Sequence, residues 1–365
     1  MAGTGNMHAT AENNRAGTVL VTGGAGYVGI HVAAALMDAG HRILILDSFS
    51  NSTPLAVDRL NGLGLGHAKL VEGDVQDETL LDRIFSADRF EGVVHLAGLK
   101  AVGESVADPL RYYDTNVGGA LGLMAAMVRN RVPRLIFSST ATVYGDPVSL
   151  PIREDARLQP ENPYGRSKLM IERMLQDIAE AHPWMRIISL RYFNPVGAHP
   201  SGRVGEDPKG VPNNLFPYIA RTAVGALSEL KVFGDDWPTP DGTGVRDYLH
   251  VMDVAEGHVA ALKYLIGDGG ESGRNVAINL GSGRGTSVLD VIRIFSEVTG
   301  RKVPYRIVER RPGDVAACWA DPTYAERLLG WKAKLGLAEI CHDHWNWQST
   351  NPNECIPRSL VWCFL

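Results

Sequence analysis

The sequence predicts an α/β protein with a doubly wound parallel sheet, followed by a smaller C-terminal α/β lobe. Short β-branched apolar segments alternate with helix-like segments through the first half of the chain. A glycine-rich segment, Gly23-x-x-Gly26-x-x-Gly29, follows the first strand-like segment and opens the first helix-like one. After Phe193 the composition shifts toward Pro, Gly and Asn, and the regular alternation ends. Together these observations favour a Rossmann-type domain with a second, smaller lobe.

Each element follows from its local pattern. Strand-like segments are short and apolar, whereas helix-like segments have a repeat near 3.6 residues and end at breakers such as Gly40. The predicted strands are 18–22, 43–46, 69–72, 92–96, 135–138 and 187–192. The predicted helices are 27–39, 79–85, 113–130 and 164–181.

The domain organisation follows from these elements. Residues 1–17 are polar and small and are predicted to form a disordered tail, neither a secretory signal nor a transit peptide. Residues 18–193 form the predicted dinucleotide-binding domain, with part of 246–266 packing back on it. Residues 194–350 form the predicted substrate lobe, and 351–365 an irregular C-terminal tail.

Composition excludes several classes of partner. A net charge of −5 gives no reason to expect nucleic acid or an anionic membrane, and no apolar segment approaches the length of a membrane-spanning helix. The four cysteines lie in the last fifty residues without a Cys-x-x-Cys pair, which suits a reducing cytoplasm and predicts no metal site. Cys341, His342 and His344 cluster, but a helix surface explains them without a metal.

The glycine motif predicts a dinucleotide site. Its glycines permit a tight turn and a close approach of the backbone to a pyrophosphate at the helix N-terminus. Asp47 ends the second strand, where a carboxylate accepts hydrogen bonds from ribose hydroxyls and repels a 2′-phosphate, so NAD is favoured over NADP. Asp74 and Val75 follow the third strand and are candidates for the adenine edge. The alternative is that the glycines merely pack the helix on the strand.

The fourth strand leads into small residues that would let a nicotinamide ribose approach the sheet, Ala97-Gly98-Leu99-Lys100. His95, just before them, is interpreted as a hydrogen-bonded core histidine. Asn116, in the next helix, is a candidate for orienting the Lys168 region, with a surface asparagine as the alternative.

Tyr164 and Lys168 lie four residues apart, on one face of a predicted helix. An ammonium near a phenol favours the phenolate, so Tyr164 is the candidate base for a substrate hydroxyl. Thr140 follows the fifth strand and is the candidate hydrogen-bond partner of the substrate oxygen and Tyr164. Alone, Thr140 could be a turn residue, and the Tyr164–Lys168 pair a cation–aromatic contact on the surface.

The residues after Thr140 also bear on the reaction. Sugar-nucleotide dehydratases carry Asp and Glu directly after this hydroxyl, because elimination needs an additional acid and base. This chain has Ala141 and Thr142 instead. The pattern therefore favours reversible oxidation at C4 of a sugar over elimination.

With these residues together, the chain resembles the UDP-glucose 4-epimerase (UDP-galactose 4-epimerase) family of the extended short-chain dehydrogenase/reductase superfamily, from about Thr18 to Ser349. The most distinctive strings are HLAGLKAVGESV within 90–108, RYFNPVGAHPSG at 191–202 and DGTGVRDYLHVMDV at 241–254. They are far more specific than the glycine motif or Tyr-x-x-x-Lys.

The resemblance implies an NAD-dependent epimerase of galactose metabolism and nucleotide-sugar supply, with NAD held tightly and not consumed. Tyr164 would take the proton of the sugar 4-hydroxyl while C4 gives hydride to NAD. The 4-keto sugar would then rotate about its link to the diphosphate and regain hydride on its opposite face. The implied cofactor-binding residues are Gly23, Gly26, Tyr27, Val28, Gly29, Asp47, Asn51, Asp74, Val75, Ala97, Gly98, Leu99, Lys100, Asn116, Tyr164, Lys168 and Phe193. The implied UDP-sugar-binding residues are Thr140, Asn194, Asn214, Leu215, Phe233, Arg246, Tyr248, Arg311, Asp314 and Cys318. Tyr192 would fall near the cofactor or sugar, and the family habit implies a homodimer.

Two departures from the family pattern carry expectations. Many relatives have serine where this chain has Thr140, so turnover could differ. Family members with tyrosine at the position of Cys318 exclude an N-acetyl group, whereas a small residue leaves room for it. We therefore expect UDP-GlcNAc and UDP-GalNAc to be substrates as well as UDP-glucose and UDP-galactose. The alternative is that Cys318 fills space without affecting selectivity.

Three other functions stay open from the sequence. The chain could act mainly on UDP-pentoses, or be a net dehydrogenase that releases NADH. It could also be a non-catalytic NAD sensor or scaffold, although intact Tyr164, Lys168 and Thr140 speak against that function.

Overall fold

The computed structural model describes residues 17–207, 209, 212, 214–267, 274–311 and 313–351. Nearly all of both predicted tails, together with Cys355 and Cys363, lie outside these residues. In chain order the strands are β1 Thr18–Thr22, β2 Arg42–Asp47, β3 Lys69–Glu72, β4 Phe90–His95, β5 Arg134–Thr140, β6 Arg186–Tyr192, β7 Asn194–Val196, β8 Leu230–Phe233, β9 Val245–Arg246, β10 Tyr248–His250, β11 Asn275–Leu280, β12 Thr286–Ser287, β13 Tyr305–Val308 and β14 Ala317–Cys318.

The helices alternate with the first strands and dominate the second half. They are α1 Tyr27–Asp38, α2 Pro54–Asn61, α3 Glu78–Ala87, α4 Val102–Ala107, α5 Pro109–Tyr112, α6 Gly119–Arg129, α7 Pro163–Ala181, α8 Leu215–Ala223, α9 Val251–Ile266, α10 Val288–Thr299, α11 Thr323–Leu329 and α12 Leu337–Thr350. A π-helical turn, Tyr113–Gly118, joins α5 to α6, and a 3₁₀ turn, Ala141–Tyr144, follows β5.

The central sheet has seven strands in the order β3-β2-β1-β4-β5-β6-β11, and all of its pairings are parallel. The first six follow the order of a Rossmann fold, so the predicted fold class is confirmed. The strand order reverses between β1 and β4. Ligands of such sheets bind outside the carboxyl ends of the strands at this point, which directs attention to the ends of β1, β4 and β5.

Two apolar layers cover the sheet. Alternate residues of β1 face opposite sides: Val19 and Val21 pack with Ile30 of α1, whereas Leu20 packs with Leu123 of α6. Helices α1, α2 and α9 contribute to the first layer, and α3, α6 and α7 to the second. Burial on both faces explains why these strands are apolar without alternation.

The smaller lobe has its own core, in which α8, α10 and α12 bury Phe216, Phe295 and Ile340. It also contains three short sheets: β7 with β10, β8 with β13, and β12-β9-β14. The lobe and the large domain are interleaved, because α9 packs against α1 and β11 pairs with β6 along its whole length.

The structure differs from the sequence prediction in several elements. Helices α2 and α4 and strand β11 were not predicted, and the predicted helix 113–130 consists of a π-helical turn followed by α6. The π-helical turn carries Asn116, which is buried and hydrogen-bonded to the chain after β4. Among the helices that the structure describes, none combines the length and hydropathy needed to cross a bilayer.

Candidate active site

The turn between β1 and α1 is packed too closely for side chains. Gly23 has a φ of +68°, and a Cβ built on it would lie 2.6 Å from the Ala97 amide nitrogen. A Cβ on Gly29 would lie 2.2 Å from the Gly23 carbonyl oxygen. In the described structure no side chain caps the first turn of α1, whose N-cap is Gly26. Tyr27 and Val28 begin the helix, so its first amides are available to an anion such as a pyrophosphate.

Asp47 lies at the end of β2, beside this turn. Its Oδ2 accepts a hydrogen bond from the Ala25 amide at 2.9 Å, and its Oδ1 accepts from the Phe49 amide at 2.9 Å and the Ser52 hydroxyl at 2.7 Å. Two carboxylate oxygens offer about four acceptor positions, so capacity remains for a ribose hydroxyl. Nearby, the Asn51 side-chain oxygen accepts from the Lys209 amide at 3.3 Å.

Asp74 and Val75, which lie shortly after β3, differ in exposure. The exposed Asp74 carboxylate accepts from the Gln76 amide at 2.9 Å, whereas Val75 is buried. Val75 packs against the first turn of α6, where a Cβ on Gly119 would lie 2.9 Å from the Val75 side chain.

Asn116 joins the end of β4 to the helix that carries Tyr164. Its side chain accepts from the Leu99 amide at 2.8 Å and donates to the Leu99 carbonyl and the Ser167 hydroxyl, both at 3.1 Å. Gly98, with a φ of +151°, has Asn116 and the Lys168 ammonium as its neighbours: a Cβ there would lie 3.8 Å from Lys168 Nζ. Asn116 is therefore buried and is not the surface asparagine of the alternative, whereas its role in orienting Lys168 stays a prediction.

Tyr164 lies in the first turn of α7. The Asn162 side chain caps this helix by accepting from the Gly165 amide at 2.9 Å, and Pro163 occupies the first turn. The Tyr164 phenol lies close enough to the side chain of Thr140, the last residue of β5, for that hydroxyl to lower its pKa. The predicted base and the predicted relay hydroxyl therefore meet at the carboxyl end of β5.

Burial opposes ionisation of Tyr164. It raises the pKa of Tyr164 above its ordinary value, and the nearby Thr140 hydroxyl offsets this only in part. The Lys168 ammonium donates to the Ser138 carbonyl oxygen at 2.9 Å, and burial lowers the pKa of Lys168 to about 8. In this structure the phenol is therefore neutral at pH 7, and the expectation that the Lys168 ammonium favours the phenolate stays a prediction.

A charged and aromatic group lies in the smaller lobe. The Arg311 guanidinium donates to Asp314 Oδ1 at 2.9 Å, and Arg246 Nη2 lies 4.0 Å from the same atom. Arg311 also lies over the Phe233 ring, 5.6 Å from its centroid. Cys318 pairs with Arg246 in the short β9–β14 ladder, and burial raises the pKa of its thiol to about 11. The thiol is therefore neutral at pH 7.

The other predicted substrate residues lie on β7, on β10 and at the start of α8. Asn194 of β7 pairs with Tyr248 of β10, and burial raises the Tyr248 pKa to about 12. Asn214 donates to Glu206 at 3.1 Å, and Leu215 begins α8.

Three predicted residues lie at the junction of β4, β6 and the smaller lobe. Lys100 pairs with Glu206 at 3.5 Å, with its ammonium 5.9 Å from the Tyr27 ring centroid. Phe193 and Tyr192 are buried, and the Tyr192 hydroxyl is hydrogen-bonded to His258 at 2.5 Å.

His95 is buried, hydrogen-bonded to Thr22 at 2.8 Å and stacked on Phe137. Burial and the nearby Lys168 charge lower its pKa to about 3, so it is a neutral core residue, as predicted. In the described ranges no group of three or more His, Cys, Asp or Glu side chains is placed to hold a metal ion.

Sequence reasoning missed a buried ionic network behind β5. Arg191 of β6 forms two hydrogen bonds with Glu172 of α7, at 2.6 and 3.0 Å, and Glu172 accepts from the Ser139 hydroxyl at 2.5 Å. Arg191 also donates to the Tyr144 hydroxyl at 2.9 Å. The available signals were Glu172 one helical turn after Lys168 and a charged Arg191 within an apolar strand.

Known proteins match this chain along most of its length. The family model described as GDP-mannose 4,6 dehydratase matches residues 20–344. A UDP-glucose 4-epimerase of Bacillus subtilis is 52% identical over 335 residues, covering 92% of this chain and 98% of that protein. A bifunctional UDP-glucose 4-epimerase and UDP-xylose 4-epimerase of Pisum sativum is 48% identical over 338 residues, covering 92% of this chain and 96% of that protein.

A solved structure agrees with these matches. The UDP-glucose 4-epimerase of Bifidobacterium longum, in complex with NAD+ and UDP, superposes with a TM-score of 0.88 at 49% identity. The match covers 92% of this chain and 99% of that one.

Proposed function

This chain belongs to the UDP-glucose 4-epimerase family, and on that premise we propose that it interconverts UDP-galactose and UDP-glucose by epimerisation at C4, with NAD as bound cofactor. The observation that carries the proposal is the proximity of Tyr164 and Thr140 at the carboxyl end of β5, which one strand, β4, separates from the β1 end that carries the glycine turn. The proposed reaction is an oxidation of the 4-hydroxyl to a transient 4-keto sugar, followed by reduction of its opposite face.

The chain's residues fit NAD. In the Gly23–Gly29 turn the backbone carries no side chain at positions where a Cβ atom would collide with its neighbours. The first amides of α1 have no side-chain cap and are available to a pyrophosphate. Asp47 keeps acceptor capacity for ribose hydroxyls, and its negative charge disfavours a 2′-phosphate. When bound, NAD supplies a hydride acceptor that also returns the hydride.

Tyr164 is the proposed proton acceptor for the sugar 4-hydroxyl and later returns that proton to the sugar oxygen. Thr140, whose hydroxyl lies near the phenol, is proposed to share the hydrogen bond to the substrate oxygen. Because burial raises the phenol's pKa, its ionisation requires positive charge nearby. Lys168, held one helical turn away by the Ser138 carbonyl, contributes such a charge below its own pKa of about 8.

The region after Thr140 supports epimerisation over elimination. A dehydratase needs an additional acid and base next to this hydroxyl, and the family model matched here bears a dehydratase name. Ala141 is buried and apolar, and Thr142 donates its amide to the Thr140 hydroxyl oxygen at 3.1 Å. Neither side chain supplies a carboxylate, so the keto sugar has no partner here for loss of water.

The nucleotide end of the substrate is assigned to the smaller lobe. Arg246 and Arg311 converge on Asp314, and their guanidinium groups are suited to paired hydrogen bonds with a diphosphate. Phe233, which is 41% exposed beside Arg311, offers an aromatic face to the base. Asn194, Asn214, Leu215 and Tyr248 complete the proposed UDP-sugar site. If these residues bind UDP tightly and the sugar is bound only loosely, the 4-keto sugar is free to rotate while UDP stays in place.

We propose that N-acetylated UDP-hexoses are substrates as well. Cys318 is the residue that supports this, since it is small, lies beside Arg246 in the β9–β14 ladder and has a neutral thiol. A tyrosine at this position would occupy the space that an acetamido group needs. The resemblance also supports a role in galactose metabolism and a cytoplasmic location.

We further propose a homodimer formed through the helices next to α7. Apolar side chains are exposed there on three helices: Val106 of α4 at 63%, Leu121 of α6 at 54% and Met170 of α7 at 48%. Exposed apolar surface marks contact sites, and twofold homodimers are the commonest soluble oligomers. Light scattering of the purified chain should give twice the monomer mass, and a monomer at micromolar concentration would contradict this part.

Turnover without added cofactor tests the main proposal. The purified chain is incubated with UDP-galactose, UDP-GlcNAc or UDP-xylose in the absence of added NAD, and the products are separated by chromatography. Many turnovers of UDP-galactose to UDP-glucose per chain are expected, because an epimerase regenerates its bound cofactor. A single turnover with accumulation of NADH would indicate a net dehydrogenase, and turnover of UDP-xylose alone would indicate a pentose epimerase. No reaction with any of the three would favour a non-catalytic role.

A further inference from the structure

The buried Glu172–Arg191 pair connects the two elements that carry the proposed catalytic groups. Glu172 lies on α7, one turn after Lys168 and two turns after Tyr164. Arg191 lies on β6, which pairs with β5 in register so that Ser139 is opposite Arg191 and Thr140 is opposite Tyr192. The pair therefore lies directly behind the strand end where Thr140 meets Tyr164.

Two successive residues of β5 are bonded to two successive turns of α7. The Ser138 carbonyl accepts from the Lys168 ammonium at 2.9 Å, and the Ser139 hydroxyl donates to Glu172 at 2.5 Å. The next residue of the strand is Thr140 itself. A shift of α7 along β5 would have to break both bonds before it changed the distance between the Tyr164 phenol and Thr140.

Arg191 holds Glu172 in this position. Its guanidinium meets both carboxylate oxygens, at 2.6 and 3.0 Å, and only 3% of Arg191 and 6% of Glu172 is exposed. Burial works against the charge of the guanidinium, but the Glu172 carboxylate outweighs it, so the pKa of Arg191 is raised and the guanidinium stays charged.

On the side away from Glu172, the network continues from Arg191 through Tyr144 to β11. Arg191 donates to the Tyr144 hydroxyl at 2.9 Å, and Tyr144 donates to the Asn279 side-chain oxygen of β11 at 2.6 Å. Tyr144 belongs to the 3₁₀ turn that begins directly after Thr140. The pair thus touches the chain on both sides of Thr140, through Ser139 and through Tyr144.

From this geometry we propose that Glu172 and Arg191 are positioning residues for the proposed reaction: through Ser139 and Tyr144 they fix α7 against β5, so that Tyr164 and Lys168 stay aligned with Thr140. Stability alone is a poor reason for such a pair, because a buried ion pair can often be replaced by apolar residues without loss. Catalysis is more sensitive, since a misplacement of about 1 Å can slow a reaction about 100-fold. This inference rests on the proposed function.

The test uses Ser139→Ala, which removes the hydroxyl that joins the strand to the pair and leaves both charges matched. The control is Ser189→Ala, which removes a buried serine bond on β6, to Asn275 at 2.9 Å. Because Asn275 also donates to the Glu172 backbone carbonyl at 3.0 Å, this control perturbs the same helix but keeps the bond between Ser139 and Glu172. The variants are compared in kcat, in KM for UDP-galactose and in the pH dependence of kcat. The wild-type chain is assayed alongside: if it fails to turn over UDP-galactose, the proposed function is contradicted and not this inference.

We expect kcat of Ser139→Ala to fall about 10- to 100-fold relative to Ser189→Ala, with KM changed less than about twofold. We also expect the acid limb of its kcat profile to move to higher pH, because a phenol farther from the Lys168 ammonium ionises at higher pH. Both effects together support the proposal. An unchanged kcat, or a fall in kcat with the acid limb unmoved, overturns it.

A second variant separates positioning from stability. Glu172→Met with Arg191→Met removes both charges together, so neither is left buried without its partner. We expect this double variant to melt near the wild-type temperature but to have a lower kcat. A wild-type kcat would overturn the proposal. If the double variant does not fold, the comparison of Ser139→Ala with Ser189→Ala decides alone.

Discussion

The Lys168 ammonium donates its hydrogen bond to the Ser138 carbonyl oxygen, 2.9 Å away. Ser138 lies two residues before Thr140, so the lysine is anchored to the same strand end that holds the relay hydroxyl. Lys168 is also buried, and this burial lowers its pKa to about 8. Its charge is therefore sensitive to pH just above neutrality.

The first prediction concerns this pH dependence. An amine loses its proton as pH rises through its pKa, so kcat/KM should fall above about pH 8 as Lys168 becomes neutral. In Lys168→Arg the guanidinium stays charged, so this fall should disappear even if the activity is lower throughout. Initial rates with UDP-galactose from pH 6 to 10 measure the profile. A wild-type profile that stays flat to pH 10 would argue against a charged Lys168 in the reaction.

The second prediction concerns the proposed base. Tyr164→Phe removes the phenol oxygen and leaves the ring, so kcat should fall about 100- to 10,000-fold. Affinity for UDP should change little, because the arginines assigned to the nucleotide lie in the other lobe. Tyr264→Phe is the control, a partly buried tyrosine on α9 away from this site. Undiminished turnover in Tyr164→Phe would assign the proton transfer to another group.

The third prediction concerns substrate selectivity. Cys318→Tyr adds a large ring beside Arg246 and should abolish turnover of UDP-GlcNAc while sparing UDP-galactose. Cys318→Ser keeps a small side chain and should retain both activities. Rates with each substrate, measured for the three proteins, give the result. Equal loss of both activities in Cys318→Tyr would mean that this position supports the lobe and does not select the substrate.

The fourth prediction concerns retention of the cofactor. Asp47→Asn removes the charge at the end of β2 and replaces an acceptor oxygen with a donor next to backbone amides. NAD affinity should fall about tenfold, the effect of losing one hydrogen bond to a charged group, and preference over NADP should weaken. Isothermal titration with each dinucleotide measures this change. The exposed Asp58→Asn on α2 is the control, and unchanged NAD affinity in Asp47→Asn would exclude the carboxylate from the ribose site.

Local sequence predicted the elements whose cause is local. β1, β3 and α7 have the bounds that their apolar runs and caps indicate, and the glycine motif lies between a strand and a helix as its spacing requires. The proximity of Tyr164 and Thr140 was also predictable. Helix α7 connects the parallel neighbouring strands β5 and β6, so its first turn, with Tyr164, lies at the carboxyl end of β5, where Thr140 is.

Features with distant causes were not predictable. The π-helical turn at Tyr113–Gly118 carries the buried Asn116, whose partner Leu99 is 17 residues earlier in the chain. β11 has an apolar, strand-like sequence, but its place beside β6 depends on pairing with a strand far earlier in the chain. Lys168 has its hydrogen-bond partner on β5, and the burial that raises the pKa of Tyr164 comes from packing that the four-residue spacing does not reveal.

The position of β11 has a consequence for biosynthesis. When the first 193 residues have left the ribosome, β6 is complete, but the strand that pairs with its outer edge, Asn275–Leu280, has not yet been made. The nascent chain therefore exposes an open strand edge that invites pairing with other chains. During this interval the hydrogen-bond network of Arg191 and Tyr144 also lacks Asn279, the partner of the Tyr144 hydroxyl. Truncated products that end before residue 280 should for this reason aggregate, whereas chains released after Leu280 can close the sheet.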